Sequence, residues 1–210
     1  MNSATTRVLS ALVLLPLLLA LIWWAPYDVF VLTLLALLGI AAGELKKLVS
    51  PAWLAIVAGI PYLVVPFALI ALLRRGWGPG ALMILAGTVI ASDSGQYYAG
   101  RTFGRRKLAP VISPKKTVEG AIGGLLVASG AAIILGRIWP VGLPDIAMAG
   151  LGFVMAVAGI AGDLFESALK RRAGVKDSGN LIPGHGGILD RIDSWLFAAP
   201  VLWCVLQVVG

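Results

Sequence analysis

Seven of the chain's ten acidic residues fall in two short stretches, 92–119 and 162–193, and their spacing suits polyphosphate chemistry. The densest stretch reads Gly162-Asp163-Leu164-Phe165-Glu166-Ser167-Ala168-Leu169-Lys170-Arg171. On a helix, Asp163 and Glu166 are three apart and Lys170 is four beyond Glu166, so all three share one face. At a rise of about 1.5 Å per residue, Lys170 stands on the order of 10 Å beyond Asp163 along the axis. A second acid pair, Asp190 and Asp193 flanking Arg191, repeats the three-residue spacing at an expected helix start, whose free N–H groups suit anions. Between the two pairs runs a polar loop, Lys176-Asp177-Ser178-Gly179-Asn180-Leu181-Ile182-Pro183-Gly184-His185-Gly186-Gly187. Its glycines can bring backbone amides close to an anion. Two acid pairs beside lysines and arginines form a donor set for Mg2+ holding a polyphosphate, since magnesium takes oxygen ligands from one or two carboxylates and from phosphates. Zinc does not suit a chain with one histidine, His185, and one distant cysteine, Cys204.

A third region carries Ser92-Asp93-Ser94-Gly95-Gln96-Tyr97-Tyr98-Ala99-Gly100-Arg101, then Gly104-Arg105-Arg106-Lys107, then Ser113-Pro114-Lys115-Lys116-Thr117-Val118-Glu119-Gly120. Lys115 and Lys116 immediately precede a helix that Thr117 can cap, which makes a seat for phosphate. Arg105, Arg106 and Lys107 suit anchoring on anionic lipid headgroups equally well. The glycine-rich pattern ending in Gly-Lys-Ser/Thr is absent, so a nucleotide would be held in another way. Asp93, Asp163 and Glu166 each interrupt an apolar run. A carboxylate at mid-bilayer costs about 2.5–3.5 kcal/mol, so it faces a polar cavity or is held in an ion pair.

The elements that must position these residues are membrane helices. Of 210 residues, 59% are hydrophobic and 13% charged, with mean hydropathy +0.94. A soluble domain of this size carries about 25% charged residues. Apolar runs at about 8–25, 27–43, 52–73, 79–100, 118–138, 145–170 and 188–209 each approach the roughly 20 residues needed to cross about 30 Å of hydrocarbon. The first exceeds the usual apolar core of a signal peptide and is read as a helix. With the N-terminus cytoplasmic, seven crossings leave fourteen of the seventeen Lys/Arg inside and only Arg74, Arg75 and Arg137 outside, as the positive-inside rule requires. The expectation is an all-α polytopic membrane protein, a single domain over residues 1–210. Residues 1–78 supply lipid-facing or packing helices, and 79–210 the catalytic helices and cytoplasmic loops. The net charge of +7 points to topology and anionic lipids rather than nucleic acid. Cys204 can form no internal disulfide and reads as a small residue of the last helix.

At these residues the sequence resembles the phosphatidate cytidylyltransferase (CDP-diacylglycerol synthase) family. The resemblance runs through Ser167, Lys170-Arg171, Lys176-Asp177-Ser178-Gly179, His185-Gly186-Gly187 and Asp190-Arg191-Ile192-Asp193, with Ser113 to Thr117, Glu119-Gly120 and the Asp93 to Gly104 segment also matching. Gln96 stands where the family commonly has alanine, and Val118 where it has tryptophan. The resemblance implies that CTP and phosphatidate give CDP-diacylglycerol and pyrophosphate at the cytoplasmic face of a bacterial inner membrane. It assigns Mg2+, with or without a second cation, to Asp163, Glu166 and Asp190, and counts Asp163, Lys170, Asp190 and Asp193 as catalytic. Substrate contacts fall to Asp93, Lys115, Lys116, Thr117, Ser167, Arg171, Lys176, Asp177, His185, Gly186, Gly187 and Arg191. The expected partners are CTP, phosphatidate and membrane lipids; a homodimer stays open. Two other readings remain: a cation- or proton-coupled transporter relaying through Asp93, Asp163 and Glu166, and a CTP-dependent polyprenol kinase, which would release CDP instead of pyrophosphate.

Overall fold

The computed structural model describes residues 3–181 and 186–209. Seven α-helices carry the chain: α1 (Ser3–Trp23), α2 (Tyr27–Leu48), α3 (Ala52–Gly59), α4 (Val65–Phe103), α5 (Val118–Ile138), α6 (Asp145–Arg172) and α7 (Leu189–Val209). A single π turn, Ile60–Val64, joins α3 to α4. Pro61 lies in it, and a residue without an N–H cannot complete the regular ladder. Five helical runs among the described residues are long and apolar enough to cross a bilayer: Tyr27–Leu48, Ala52–Phe103, Val118–Ile138, Asp145–Arg172 and Leu189–Val208.

The run from Ala52 to Phe103 covers two of the segments expected from sequence. Its helical path breaks at Gly78, with φ 71° and ψ −170°, a region that only glycine occupies without strain, and Pro79 restarts the helix. On one side of the break, the Arg74 guanidinium donates to the Ala25 carbonyl at 3.4 Å. On the other, Gly80 abuts Trp139, whose ring lies 6.0 Å from that of Trp23. Farther from the break, Tyr62 packs edge-on against Phe165 at 5.0 Å, while Gly100 lies against Thr117 and Gly120. The two arms of the run therefore lie antiparallel, and the chain reverses at Gly78.

One feature departs from the all-helical expectation. The basic loop after α4 folds into an antiparallel hairpin, β1 (Lys107–Ala109) with β2 (Ser113–Thr117), in the register Lys107 to Thr117 and Ala109 to Ser113. Pro114 pushes Ser113 into an extended conformation, and the Glu119 carboxylate accepts from the Arg105 and Arg106 amides to close the hairpin's base. Helical periodicity cannot register a five-residue strand made of Ser, Pro, Lys and Thr.

Glycine sets how closely the helices pack. A Cβ on Gly95 would lie 2.9 Å from the Gly123 carbonyl oxygen, one on Gly152 2.6 Å from that of Ala128, and one on Gly162 2.5 Å from that of Asp193. Lipid tails are as apolar as leucine, so small residues that let backbones approach are how membrane helices associate. The largest buried cluster joins Ile22, Phe30, Leu82, Leu85, Met155 and Leu202 from five helices, while side chains such as Trp24, Ile146 and Val208 point outward.

Candidate active site

The C-terminal third of α6, the first turns of α7, the last turns of α4 and the β2–α5 junction meet at one end of the bundle. Gly159 and Gly162 let α7 lie directly on α6 at Ser194 and Asp193. That contact places the two acid pairs of the sequence side by side.

The α6 carboxylates diverge instead of sharing one task. Asp163 pairs with Lys116 of β2, Oδ2 to Nζ at 2.5 Å, and accepts from Ser167 Oγ at 3.3 Å. Glu166, three residues on, is completely buried and forms an ion pair with Lys170 through Oε2, while its Oε1 has no hydrogen-bond partner among the described residues. A three-residue step turns 300°, so the two acids lie on adjacent stripes of the helix and each finds its partner four residues on.

Lys170 links the two helices, reaching Asp190 Oδ1 at 2.6 Å as well as Glu166. The second oxygen of Asp190 accepts from the Ser178 amide at 2.9 Å, the Ser178 hydroxyl at 2.9 Å and the Gly187 amide at 2.8 Å. The anion on which the Ser178 and Gly187 amides close is a carboxylate of the chain itself. Gly187 is required sterically: a Cβ there would lie 2.3 Å from Ser178 Oγ. Gly186 takes φ 83°, a left-handed turn that aims the Gly187 amide back at Asp190.

Beside this linkage opens a cavity of about 490 Å3 that carries Asp93, Gln96, Arg101, Lys115, Lys116 and Asp163 on its walls. Gln96 donates to Asp93 at 3.2 Å. Thr117 caps α5, its hydroxyl accepting from the Gly120 amide at 3.1 Å, which fixes the helix start beneath the two lysines. Asp193 accepts from the Ser194 amide at 2.8 Å and stands within electrostatic reach of Asp163 and Asp93, as Arg191 does of Asp93. Arg171 turns away: its side chain donates to the Ile112 and Val175 carbonyls and braces the hairpin against the end of α6. Lys176 and Asp177 are exposed on the loop, and His185 lies outside the described residues.

The donor chemistry fits magnesium. Every nearby acidic ligand is a carboxylate oxygen, and the orphaned Glu166 Oε1 is a buried acceptor still without a donor or cation. Among the described residues no three acidic, histidine or cysteine side chains converge as a ready-made cage. That suits an ion held by one or two carboxylates and by the phosphates of its substrate.

The sequence reading passed over Glu44. This α2 carboxylate is buried, and it accepts from the Ile188 amide at 3.1 Å and the Leu189 amide at 2.8 Å, while the Ser178 hydroxyl, 3.0 Å away, has a single proton to share between it and Asp190. Ser178 Oγ thus lies between Glu44 and Asp190, and Glu44 caps α7 from 145 residues away. The argument that singled out Asp163, an acid within an apolar run, applies to Glu44 as well. It was masked by the neighbouring Lys46 and Lys47, which make the helix end look like an ordinary charged boundary.

Residues 51–209 match the Cytidylyltransferase family. A phosphatidate cytidylyltransferase of Bacillus subtilis is 50% identical over 116 residues, covering 55% of this chain and 43% of the relative. One from Pseudomonas aeruginosa is 39% identical over 201 residues, covering 92% of this chain and 69% of the relative. One from Synechocystis is 48% identical over 117 residues, covering 54% of this chain and 38% of the relative. The chain thus spans less than half the length of two of these relatives and about two thirds of the third.

Proposed function

Because this chain belongs to the Cytidylyltransferase family, we propose that it transfers the cytidylyl group of CTP to phosphatidate, forming CDP-diacylglycerol and pyrophosphate. The observation that carries this reading is the cavity whose walls hold Lys115, Lys116, Asp93 and Asp163, with Lys116 of β2 paired to Asp163. It is a seat for a polyphosphate with acids at hand for its counter-cation.

A phosphate oxygen of phosphatidate attacks the α-phosphorus of CTP. The new P–O bond forms as the bond from that phosphorus to the bridging oxygen breaks, and pyrophosphate leaves with the electron pair. A phosphate monoester has its second pKa near 6 and is mostly dianionic at neutral pH, so the attack needs no strong protein base. The barrier lies in bringing two anions together and in the charge growing on the leaving group. Lys115, Lys116 and Arg101 offset that charge in the cavity, and Lys170 with Arg191 does so on the α6–α7 side. Asp163 holds the Lys116 ammonium in place, and Asp190 does the same for Lys170. Asp163 and Glu166, with Asp190 beyond them and Asp93 and Asp193 within electrostatic range, are the residues to hold Mg2+; when bound, it would neutralise phosphate charge and align the groups.

CTP is soluble and phosphatidate keeps its chains in the bilayer, so the site belongs at an interface. With the two arms of the Ala52–Phe103 run counted separately and α1 included, the chain crosses seven times. The positive-inside distribution supports a cytoplasmic N-terminus and a site on the cytoplasmic side, which for a bacterial chain is that of the inner membrane.

The test is pyrophosphate release by detergent-purified protein given CTP, phosphatidate and Mg2+, each omitted in turn. The expected result is release that needs all three, with CDP-diacylglycerol in the lipid extract. CDP release with a polyprenol would replace this reading by the kinase.

A further inference from the structure

Arg105, Arg106 and Lys107 take no part in the site described above. All three are exposed, and among the described residues none has an acidic partner within ion-pair distance. The carboxylate close by, Glu119, accepts from the Arg105 and Arg106 backbone amides, so the base of the hairpin is closed without their guanidinium groups. Arg101 and Arg171, by contrast, are engaged by the Tyr97 hydroxyl and by main-chain carbonyls. Arg105 and Arg106 line a cleft of about 610 Å3 together with Phe103, Glu119 and Ile122. The cleft lies across the start of α5 from the candidate site: Glu119 and Ile122 face it, whereas Gly120 and Ala121 face the cavity that holds Lys115 and Lys116. Here α5 begins a run long and apolar enough to cross a bilayer, which sets the cleft at the depth of lipid headgroups. Phe103 is 67% exposed at its edge, and Ile122 and Leu126, four residues apart, continue one outward-facing apolar stripe along α5.

We propose that this cleft binds the headgroup of an anionic phosphodiester lipid of the surrounding leaflet, with Arg105 and Arg106 on its phosphate and an acyl chain along Ile122 and Leu126. This lipid is a ligand distinct from the substrate. Two guanidinium groups beside one carboxylate leave a single positive charge, which matches the single negative charge of a phosphodiester. The planar fork of arginine suits paired phosphate oxygens, and the apolar stripe suits the chain that follows them. Docking there steadies the hairpin: Arg106 runs directly into β1, and β1 pairs with the strand that carries Lys115 and Lys116 into the candidate site. Binding does not depend on which reaction the chain catalyses; only the effect on turnover rests on the phosphatidate reading above.

Native mass spectrometry of the detergent-purified protein, without CTP or phosphatidate, compares binding of dioleoyl phosphatidylglycerol with that of dioleoyl phosphatidylcholine. Charge is removed in Arg105→Gln/Arg106→Gln and, as a control, in Lys46→Gln/Lys47→Gln, an exposed basic pair at the end of α2 and outside the cleft. Wild-type protein is expected to prefer the anionic lipid by about 25-fold, a factor of about five for each arginine near an anionic phosphate. The lysine variant should keep that preference and the arginine variant should lose it. Equal loss in the two variants, or no preference in the wild type, would overturn the proposal. So would displacement of the lipid by millimolar inorganic phosphate, which would mark a seat for free phosphate. A lipid-free dimer would likewise overturn it and give the cleft to a second copy of the chain. The second measurement uses nanodiscs at saturating phosphatidate and Mg2+. Adding phosphatidylglycerol to phosphatidylcholine should lower the KM for CTP by about two- to tenfold, the cost of ordering one long side chain. That gain should be absent from the arginine variant, whose turnover in phosphatidylcholine alone should match the wild type; an unchanged KM in the wild type would overturn the coupling to the hairpin. Wild-type protein inactive in every nanodisc would instead remove the phosphatidate reading and leave the binding result standing, so the two failures are distinct.

Discussion

At the scale of single residues, the site is a set of carboxylates each given a different duty by its partners. Asp190 accepts hydrogen bonds from Lys170 and from the Ser178 and Gly187 amides, with the Ser178 hydroxyl also in reach, and an amide in its place would present an NH2 to groups that are themselves donors. Asp190→Asn is expected to lower pyrophosphate release by about 100-fold or more, in line with losses seen when a preorganised charge is removed, while the protein stays extractable and folded. Undiminished turnover would take Asp190 out of the site. Glu44 makes a different prediction. Removing its carboxylate strands the Ile188 and Leu189 amides, and a buried donor left unsatisfied costs about 1–3 kcal/mol. Glu44→Ala should therefore lower the thermal midpoint in detergent and speed proteolytic cleavage of the 174–181 loop, with Glu44→Gln intermediate because its amide oxygen still accepts. Asp163, Glu166, Asp190 and Asp193 were all legible from their spacing. Glu44 was not, because its partners lie more than 130 residues away.

At the scale of elements, chemistry is positioned by glycine contacts between helices. Gly162 meets the Asp193 backbone, which cannot move aside as a flexible side chain can. Gly162→Ala is expected to separate α6 from α7, costing about 1–3 kcal/mol as overpacking does, and to reduce turnover by displacing Asp190 from Lys170. Gly39→Ala on α2 is the matched control, since a Cβ there meets nothing within 4 Å; it should leave stability and activity unchanged. Helix positions were readable from apolar runs and agree with the observed elements to within about five residues, except over Ala52–Phe103, where two expected helices form one run bent at Gly78. The β1–β2 hairpin was not readable, because its strand character comes from pairing and from Pro114 and not from any hydrophobic alternation.

At the scale of the whole molecule, the described helices place the hairpin, the 174–181 loop, Asp93, Lys116, Lys170 and Asp190 at one end, and Arg74, Arg137 and Trp139 at the other. In a Cys204→Ser background, a cysteine at the exposed Val111 should react with a membrane-impermeant maleimide only in inverted vesicles, and a cysteine at Pro140 only in intact cells. Reaction of both from one side would reject the seven-crossing topology. Chelation with EDTA should abolish pyrophosphate release, and Mg2+ should restore it; full activity after exhaustive chelation would remove the metal from the reading.

The sequence by itself determined the apolar character and number of the helical runs and the gathering of acidic and basic residues in two stretches. Hydrophobicity and charge are properties of residue type, and a helix converts spacing directly into a shared face. Only the tertiary structure decided which charge meets which. Asp163 finds Lys116, Lys170 finds Asp190, and the glycine loop closes on Asp190 and Glu44. Those pairings join α2, α6, α7 and the hairpin across long sequence distances. They depend on how closely glycines allow the helices to approach, and no one-dimensional pattern records that distance.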